Sequence, residues 1–509
     1  MSLKNRQIVL IMTDTQRHDM LGCYRETGLR TPYLDELAAG GIRFDKAYTV
    51  QPVCQPARAA IFTGLHPHAC NSWTNSSGLA GNVRHIGQRL RRHGIDTAYI
   101  GKWHLDGGDY FGLGRCPDGW DSDYWFDMRN YLDQMGPQER LLSRNPANMK
   151  THDFPDTSTY AHQCSDRAIR YLRNHGDDPF LLVVSYDEPH DPSICPKEYY
   201  DAYQDYTFPK SGNIHDTLAD KPAYQRVWAG DSLNSDKDQL QIRNPAFFGC
   251  NSFIDHEAGR VIAAVRRSAP QALIIYTADH GDFLHGHSLS AKGPAVYEEI
   301  THIPLIMNGP GIEPGRVDSA PVSHLNLAPT LFDLYDLPQP QVFAGKSLLP
   351  QLDGCVDQVN PHVFIEFGRY EVDHDGFGGF QPMRAVYDGR YKLAIHLLSG
   401  DELYDLVEDP EEMVNLIGSP GHTDVRNRLH DAILAEMNAS RDPFRGYYWA
   451  RRPWRIDAAE AAPPTWDGAG MTRQREDEDY EPRQLDYSTG LEMTAAVRKK
   501  QAAPARPAN

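Results

Sequence analysis

The sequence predicts an α/β protein: a large mixed sheet flanked by helices on both faces, followed by a smaller C-terminal α+β domain. Three observations predict it. Short apolar runs alternate with amphipathic stretches over most of the chain. Near His362 the pattern changes to closely spaced strands with a hairpin signal. The 509 residues suffice for one large domain and a smaller one.

The elements follow in order. Residues 8–12 read as the first strand. Residues 32–39 read as a helix that starts on Pro32 and is stopped by Gly40-Gly41. Cys54 opens a short helix closed by Gly64. A helix over 85–93, closed by Gly94, precedes a strand at 97–100. A longer helix, about 158–175, ends in basic residues and Gly176, before a strand at 180–185. A helix at 253–267, strands at 272–277 and 304–307, and a helix at 325–337 complete the large domain. Strands at 363–367, 384–387 and 391–396 follow, the last two joined by Asp388-Gly389, and then a helix near 425–437. The domains expected are 1–361 and 362–440, with a Pro-, Trp- and Arg-rich tail over 441–509. The tail lacks the periodicity for a core but carries Trp449, Trp454 and Trp466 as anchors. It is expected to pack on its own chain or on a neighbouring subunit of a homo-oligomer.

The net charge of −18 argues against a nucleic-acid partner. An anion site then has to be built locally from a few Lys, Arg and His. No apolar run is long enough for a membrane span. The N-terminus enters a strand without the apolar core of a signal peptide, and the eight cysteines form no C-x-x-C pair. A cytoplasmic, reducing location is the expectation.

Residues able to do chemistry follow four of the strands. The first leads to Asp14, the second to Lys102 and His104, the third to Asp187 and His190, and the fourth to Asp279 and His280. Sites in open α/β sheets form at the carboxyl ends of strands, so these groups should meet near Cys54. His280, His285 and His287 lack the H-E-x-x-H spacing of a zinc site, and His287 is expected beside the site or at its rim. His66 and His68 are expected in a loop. Arg369-Tyr370-Glu371 with His374 reads as a rim loop suited to substrate selection.

Cys54-Gln55-Pro56-Ala57-Arg58, continuing to Thr63-Gly64, resembles the C-x-P-S/A-R signature of formylglycine-dependent (type I) sulfatases, in the alkaline phosphatase-like superfamily. Gly94 through Leu105 resembles that family's second signature, G-x-x-T-x-x-x-G-K-W-H-L. Pro189-His190, Asp279-His280-Gly281-Asp282, Lys292 and the Glu402-Leu403-Tyr404-Asp405-Leu406 run match further, so the likeness covers Ile8 to about Gly418. The resemblance implies that a separate maturase oxidises Cys54 to formylglycine (3-oxoalanine). The hydrated aldehyde is then the nucleophile, and its second hydroxyl lets sulfate leave by C–O cleavage. It implies a divalent cation on Asp14, Asp279, His280 and the oxygen of modified Cys54. Two carboxylates favour Ca²⁺, with Mg²⁺ or Mn²⁺ as alternatives. It implies that Arg58 bonds the formylglycine hydroxyl and that Lys102 and Lys292 clamp sulfate oxygens. His190 would protonate the leaving alcohol and His104 would take the proton that releases sulfate. The substrate is then a small anionic sulfate ester of a sugar or organic alcohol. Ala57 also occurs in phosphonate monoester hydrolases, so a phosphonate or phosphodiester hydrolase is the second reading. An inactive sugar-sulfate binding protein is the third. Thr15 stands where many sulfatases carry a second Asp, so that ligand is either missing or replaced by a hydroxyl or water.

Overall fold

The first apolar run becomes the centre of the sheet. The computed structural model describes residues 7–107, 110–176, 178–371 and 379–456. In chain order the strands of the large sheet are β1 (Gln7–Asp14), β2 (Ile42–Phe44), β3 (Asp96–Gly101), β4 (Phe180–Pro189), β5 (Leu273–Ala278), β6 (Leu305–Asn308) and β7 (Arg316–Asp318). They lie in the order β3-β4-β1-β5-β6-β2-β7. β1 pairs in parallel with β4 and β5, and β3 runs parallel to β4. β6 is antiparallel to β5 and β2, which makes the sheet mixed. The carboxyl ends of β1, β3, β4 and β5 therefore share one edge.

β1 is buried along its whole length. Val9 and Ile11 enter one core, while Ile8, Leu10 and Met12 enter the other. That is the period of two of a pleated strand covered on both faces. On one face lie α1 (Pro32–Ala39), α4 (Tyr160–Asn174) and α5 (Pro245–Ser268), through Leu34, Cys164, Phe253 and their neighbours. On the other lie α2 (Cys54–Thr63), α3 (Ile86–Arg91) and α6 (Leu327–Leu334), through Phe62, Leu90 and Leu331.

Two helix ends depart furthest from the periodicity. α5 starts at Pro245 rather than 253. Asn244 caps it, accepting from the Phe247 N–H at 3.1 Å, and Pro245 occupies the first turn where its missing N–H costs nothing. α6 stops at Leu334 rather than 337, because Asp336 takes a φ of 60° that no helix continues through.

The C-terminal domain is an antiparallel meander of β8 (Val363–Arg369), β9 (Phe380–Tyr387), β10 (Tyr391–His396) and β11 (Glu402–Asp405). β11 comes from the Glu402–Asp405 segment, where no strand is expected from pattern alone. Leu429, Ile433 and Leu434 of α7 (Thr423–Ala439) pack with Val386, Leu393 and Ile395 of the sheet. At the β9–β10 turn the Asp388 carboxylate accepts from the N–H groups of Arg390 and Tyr391, and Gly389 takes a φ of 99°.

The chain from 441 to 456 folds back on this domain. Trp449 is 1% exposed among the α7 and sheet side chains. Trp454 donates its indole N–H to Asp401 at 2.9 Å. Trp466 lies outside the described residues. Among the described residues no helix is long and apolar enough to cross a membrane. Trp449→Ala should lower stability by about 3–5 kcal/mol, the cost of emptying a buried indole site. A urea melt with an unshifted midpoint would show that this returning segment adds nothing to the domain.

Candidate active site

Cys54 is the first residue of α2, whose start carries no side-chain cap from Val53. The Gln55 N–H donates instead to Asn75 Oδ1 at 3.0 Å. Residue 54 thus sits at the positive end of a helix, which favours negative charge there. Its side chain is wholly buried.

The strand ends meet around it, as their shared edge requires. Cys54 Sγ is 3.6 Å from Asp14 Oδ1 at the end of β1 and 3.3 Å from His280 Nε2 just beyond β5. His280 Nε2 is 3.6 Å from both Asp14 Oδ1 and Asp279 Oδ1. Lys292 Nζ donates to Sγ at 2.8 Å. Lys102, next after β3, lies 2.7 Å from Asp14 Oδ2 and 3.0 Å from Asp187 Oδ1. Arg58, one turn into α2, is directed elsewhere than expected. It donates to Asp14 Oδ2 and Asp279 Oδ2, each at 3.0 Å, and to the Lys102 carbonyl and Ser185 Oγ. It holds the carboxylates rather than the sulfur.

His190 and His104 flank the lysines. Tyr110 Oη donates to Asp187 Oδ1 at 2.5 Å and lies 3.1 Å from His190 Nδ1. Its ring lies under Lys102 Nζ at 4.0 Å and edge-on to His104. His104 is buried, with a φ of 57° that non-glycine residues adopt at a cost.

Electrostatics separates these groups. For Cys54, burial and Asp14 oppose ionisation, while Lys102, Lys292 and His280 outweigh them and hold the thiol well below its usual range. Burial works against Asp14 too, but Lys102, Lys292, His190 and Arg58 keep it ionised. Asp279 goes the other way and is pushed up to about 7 by burial and by the Asp14 carboxylate. Burial pulls the His104 pKa down. Burial, Lys292 and Lys102 also oppose protonation of His190, yet Asp14 and a hydrogen bond toward Cys54 prevail and its pKa rises.

Asp14, Cys54, Asp279 and His280 form a buried group of four possible metal donors. Adjacent ligands at right angles around a cation with bonds of about 2.3–2.6 Å lie about 3.3–3.7 Å apart. The observed separations of 3.3–3.6 Å between neighbouring donors fit that spacing. Burial raises the pKa of both carboxylates, and the charge of Asp14 raises that of Asp279 further, so the pair calls for added positive charge. Thr15 does not join the donors. Its hydroxyl donates to Asp14 Oδ1 at 2.7 Å and its N–H to Asp279 Oδ1 at 3.2 Å, so it orients the two carboxylates.

Other expected residues lie elsewhere. His287 is no rim residue. It is fully buried, bonded to Asp216 at 2.7 Å and stacked on Tyr297. His66 and His68 contact the C-terminal domain. Burial raises the Tyr370 pKa to about 12, with Lys292 opposing the rise and Cys54 adding to it, while His374 lies outside the described residues. Tyr110 and the pairing of Asp187 with Lys102 carried no sequence signal. Tyr110 stands in an irregular segment, and its partners lie 77 and 80 positions away.

The sulfatase family profile matches residues 6–337, and that of the N-sulphoglucosamine sulphohydrolase C-terminal domain matches 291–439. The chain belongs to the sulfatase family, within the alkaline phosphatase-like superfamily, and is a sulfuric ester hydrolase. It is 44% identical to a protein described as uncharacterized sulfatase YidJ of Escherichia coli K12, over 96% of this chain and 97% of that one. It is 27% identical to the choline-sulfatase of Rhizobium meliloti, over 90% of each. The fold is shared with the phosphonate monoester hydrolase of Agrobacterium radiobacter at TM-score 0.71 and 20% identity, over 86% and 96% of the two chains. A protein solved with its substrate D-glucosamine-2-N,6-O-disulfate matches at TM-score 0.68 and 20% identity, over 87% and 99%.

Glu188, beside Asp187, is buried. Its Oε1 accepts from the Ala161 N–H at 3.0 Å and its Oε2 has no hydrogen-bond partner. Burial, then Asp187, pushes its pKa from 4.5 up to about 8. Between those values the folded state keeps a proton that the unfolded state has lost, so this residue makes stability fall as pH rises. Glu188→Gln should raise the melting temperature at pH 8 and flatten its decline from pH 5. An equal decline in both proteins would refute the assignment.

Proposed function

We propose that this enzyme hydrolyses a sulfate monoester of a sugar or small organic alcohol, with residue 54 as formylglycine and a divalent cation, Ca²⁺ foremost, on Asp14, Asp279, His280 and residue 54. The observation that carries the reading is the convergence of a helix-start Cys, a Lys at 2.8 Å and a buried two-carboxylate donor set on one point. When present, the cation supplies positive charge and acidifies a hydroxyl, and the hydrated aldehyde supplies an oxygen nucleophile.

The chain's own residues do the rest. Lys102, fixed between Asp14 and Asp187, and Lys292, at residue 54, present two ammonium groups to sulfate oxygens. Arg58 holds both carboxylates aligned. His190 is shifted toward the protonated form and is 14% exposed at its side chain, so it can hand a proton to the departing alkoxide. His104 is shifted toward the neutral form and can accept a proton beside residue 54. Two histidines pushed apart in pKa divide the acid and base roles. Tyr110 holds the acid against Asp187.

Relatives named for choline sulfate and for a glucosamine disulfate support the substrate class. Phosphonate monoester hydrolases on the same fold support the second reading, because tetrahedral sulfur and phosphorus oxyanions suit one clamp. All eight cysteines are free, which supports a reducing, cytoplasmic location.

Peptide mass spectrometry of residue 54, with and without a co-expressed maturase, tests the nucleophile. Turnover of an aryl sulfate should track the aldehyde fraction, and Cys54→Ala should lose on the order of 10³-fold or more in kcat/KM. Full activity in that variant would end this reading. Aryl phosphate and phosphonate monoester at equal concentration should turn over more slowly than the sulfate, and the reverse order would favour the second reading. Asp279→Asn should lose both the cation, by elemental analysis, and turnover. A variant still loaded and active would refute the donor set.

A further inference from the structure

Beyond α2 and Gly64 the chain places two imidazoles against the C-terminal domain. The rings of His66 and His68 stack at 5.3 Å between centroids and 16° between planes. Both side chains are at least nine-tenths buried, as is Glu366 on β8. Glu366 Oε2 lies 2.6 Å from His68 Nδ1 and 3.8 Å from His66 Nδ1. One donor atom from each of the three residues lies within 4.8 Å of the other two. From α7, Glu436 Oε1 meets His66 Nε2 at 2.8 Å.

We propose that His66, His68 and Glu366 form a second metal site, for a divalent transition cation of the zinc class, which ties the segment after the nucleophile helix to the C-terminal domain. A neutral His66 that gives its Nε2–H to Glu436 turns its Nδ1 lone pair toward the Glu366 carboxylate. That lone pair faces Glu366 Oε2 at 3.8 Å, too far for a hydrogen bond, on a carboxylate that accepts the His68 N–H at Oε1 at 2.8 Å and meets His68 Nδ1 at Oε2 at 2.6 Å. A cation here would take the Nδ1 lone pair of His66 and replace the His68–Glu366 hydrogen bond by two metal bonds, and Glu436 becomes the carboxylate that fixes the tautomer of a liganded histidine.

The nearest guanidinium does not resolve the conflict. Arg384 donates to both oxygens of Asp442, at 2.5 and 2.9 Å, and stands 3.9 Å from Glu366. His68 Nε2 is buried without a hydrogen-bond partner, and His68 lines a cavity of about 20 Å³ with room for one water. Two imidazoles and one carboxylate suit Zn²⁺ better than Ca²⁺, whereas the Cys54 cluster has two carboxylates. The two sites should therefore separate by metal preference.

Zn²⁺ uptake by the chelator-stripped full chain tests the proposal, with Co²⁺ as a spectroscopic substitute. Wild type should bind one more equivalent of Zn²⁺ than His68→Gln or Glu366→Gln. Asp279→Asn should keep that equivalent, because its change lies in the other cluster. Zn²⁺ should raise the melting temperature of wild type and of Asp279→Asn, and leave that of His68→Gln unmoved. In Asp279→Asn, Co²⁺ should give the intense visible absorption of a low-coordinate nitrogen and oxygen site. Equal uptake and equal melting shifts in wild type and His68→Gln would reduce the cluster to an ion-paired contact and overturn the proposal. If His68→Gln does not fold, the Co²⁺ spectrum of Asp279→Asn decides alone, and its absence overturns the proposal. Neither readout depends on turnover, so failure here leaves the reading of the Cys54 site untouched.

Discussion

One buried guanidinium holds the candidate active site together. Arg58 reaches from α2 to Asp14 at the end of β1 and to Asp279 beyond β5, with all three side chains fully buried. It also closes on the Lys102 carbonyl and on Ser185 Oγ, so it touches every strand that brings a residue to the site. Burying two carboxylates within reach of each other is tolerable only with such a partner, because removing one member of a buried ion pair leaves an uncompensated charge. The sheet order does the rest. β1 lies between β4 and β5 in parallel, which puts four carboxyl ends where one helix start can meet them.

Within that frame, like residues acquire unlike properties. His104 and His190 share one side chain and one neighbourhood, yet their pKa values shift in opposite directions. His104 sits in a left-handed backbone position inside the core, where burial dominates. His190 is partly open and is drawn toward the charged form by Asp14. Asp14 and Asp279 differ in the same way, because two lysines outweigh burial at Asp14, whereas burial and the Asp14 charge prevail at Asp279. Position, rather than residue type, assigns the role.

Much of this was legible in the sequence. The central strand sends alternate residues into two cores, and the unbroken apolar run at 8–12 is what a strand covered on both faces requires. Asp14, Lys102, His190 and Asp279 are recognisable because each follows an apolar run at a distance that a strand end fixes. What pattern does not carry is the contact between distant irregular segments. Tyr110 meets Asp187 across 77 positions, and its segment has no period to read. The direction of Arg58 was hidden for a related reason: its spacing from Cys54 fixes a place on a helix and leaves open which of several nearby acceptors it takes. β11 was hidden by polarity, since Glu402 and Asp405 are buried strand residues held by Tyr297 and Arg390 rather than by apolar packing.

The burial of Cys54 sets a schedule. Its sulfur lies under Lys292, which the ribosome adds 238 residues later, and under His280, which comes 226 residues later. β1, which aligns Asp14 beneath it, waits for the strand starting at Phe180 and then for the one starting at Leu273. Until those segments emerge, the thiol stands on a short helix with no roof. Afterwards no large reagent reaches it. An enzyme that alters this side chain must therefore act on the nascent or unfolded chain, and a molecule that folds before the alteration is closed to it until it unfolds.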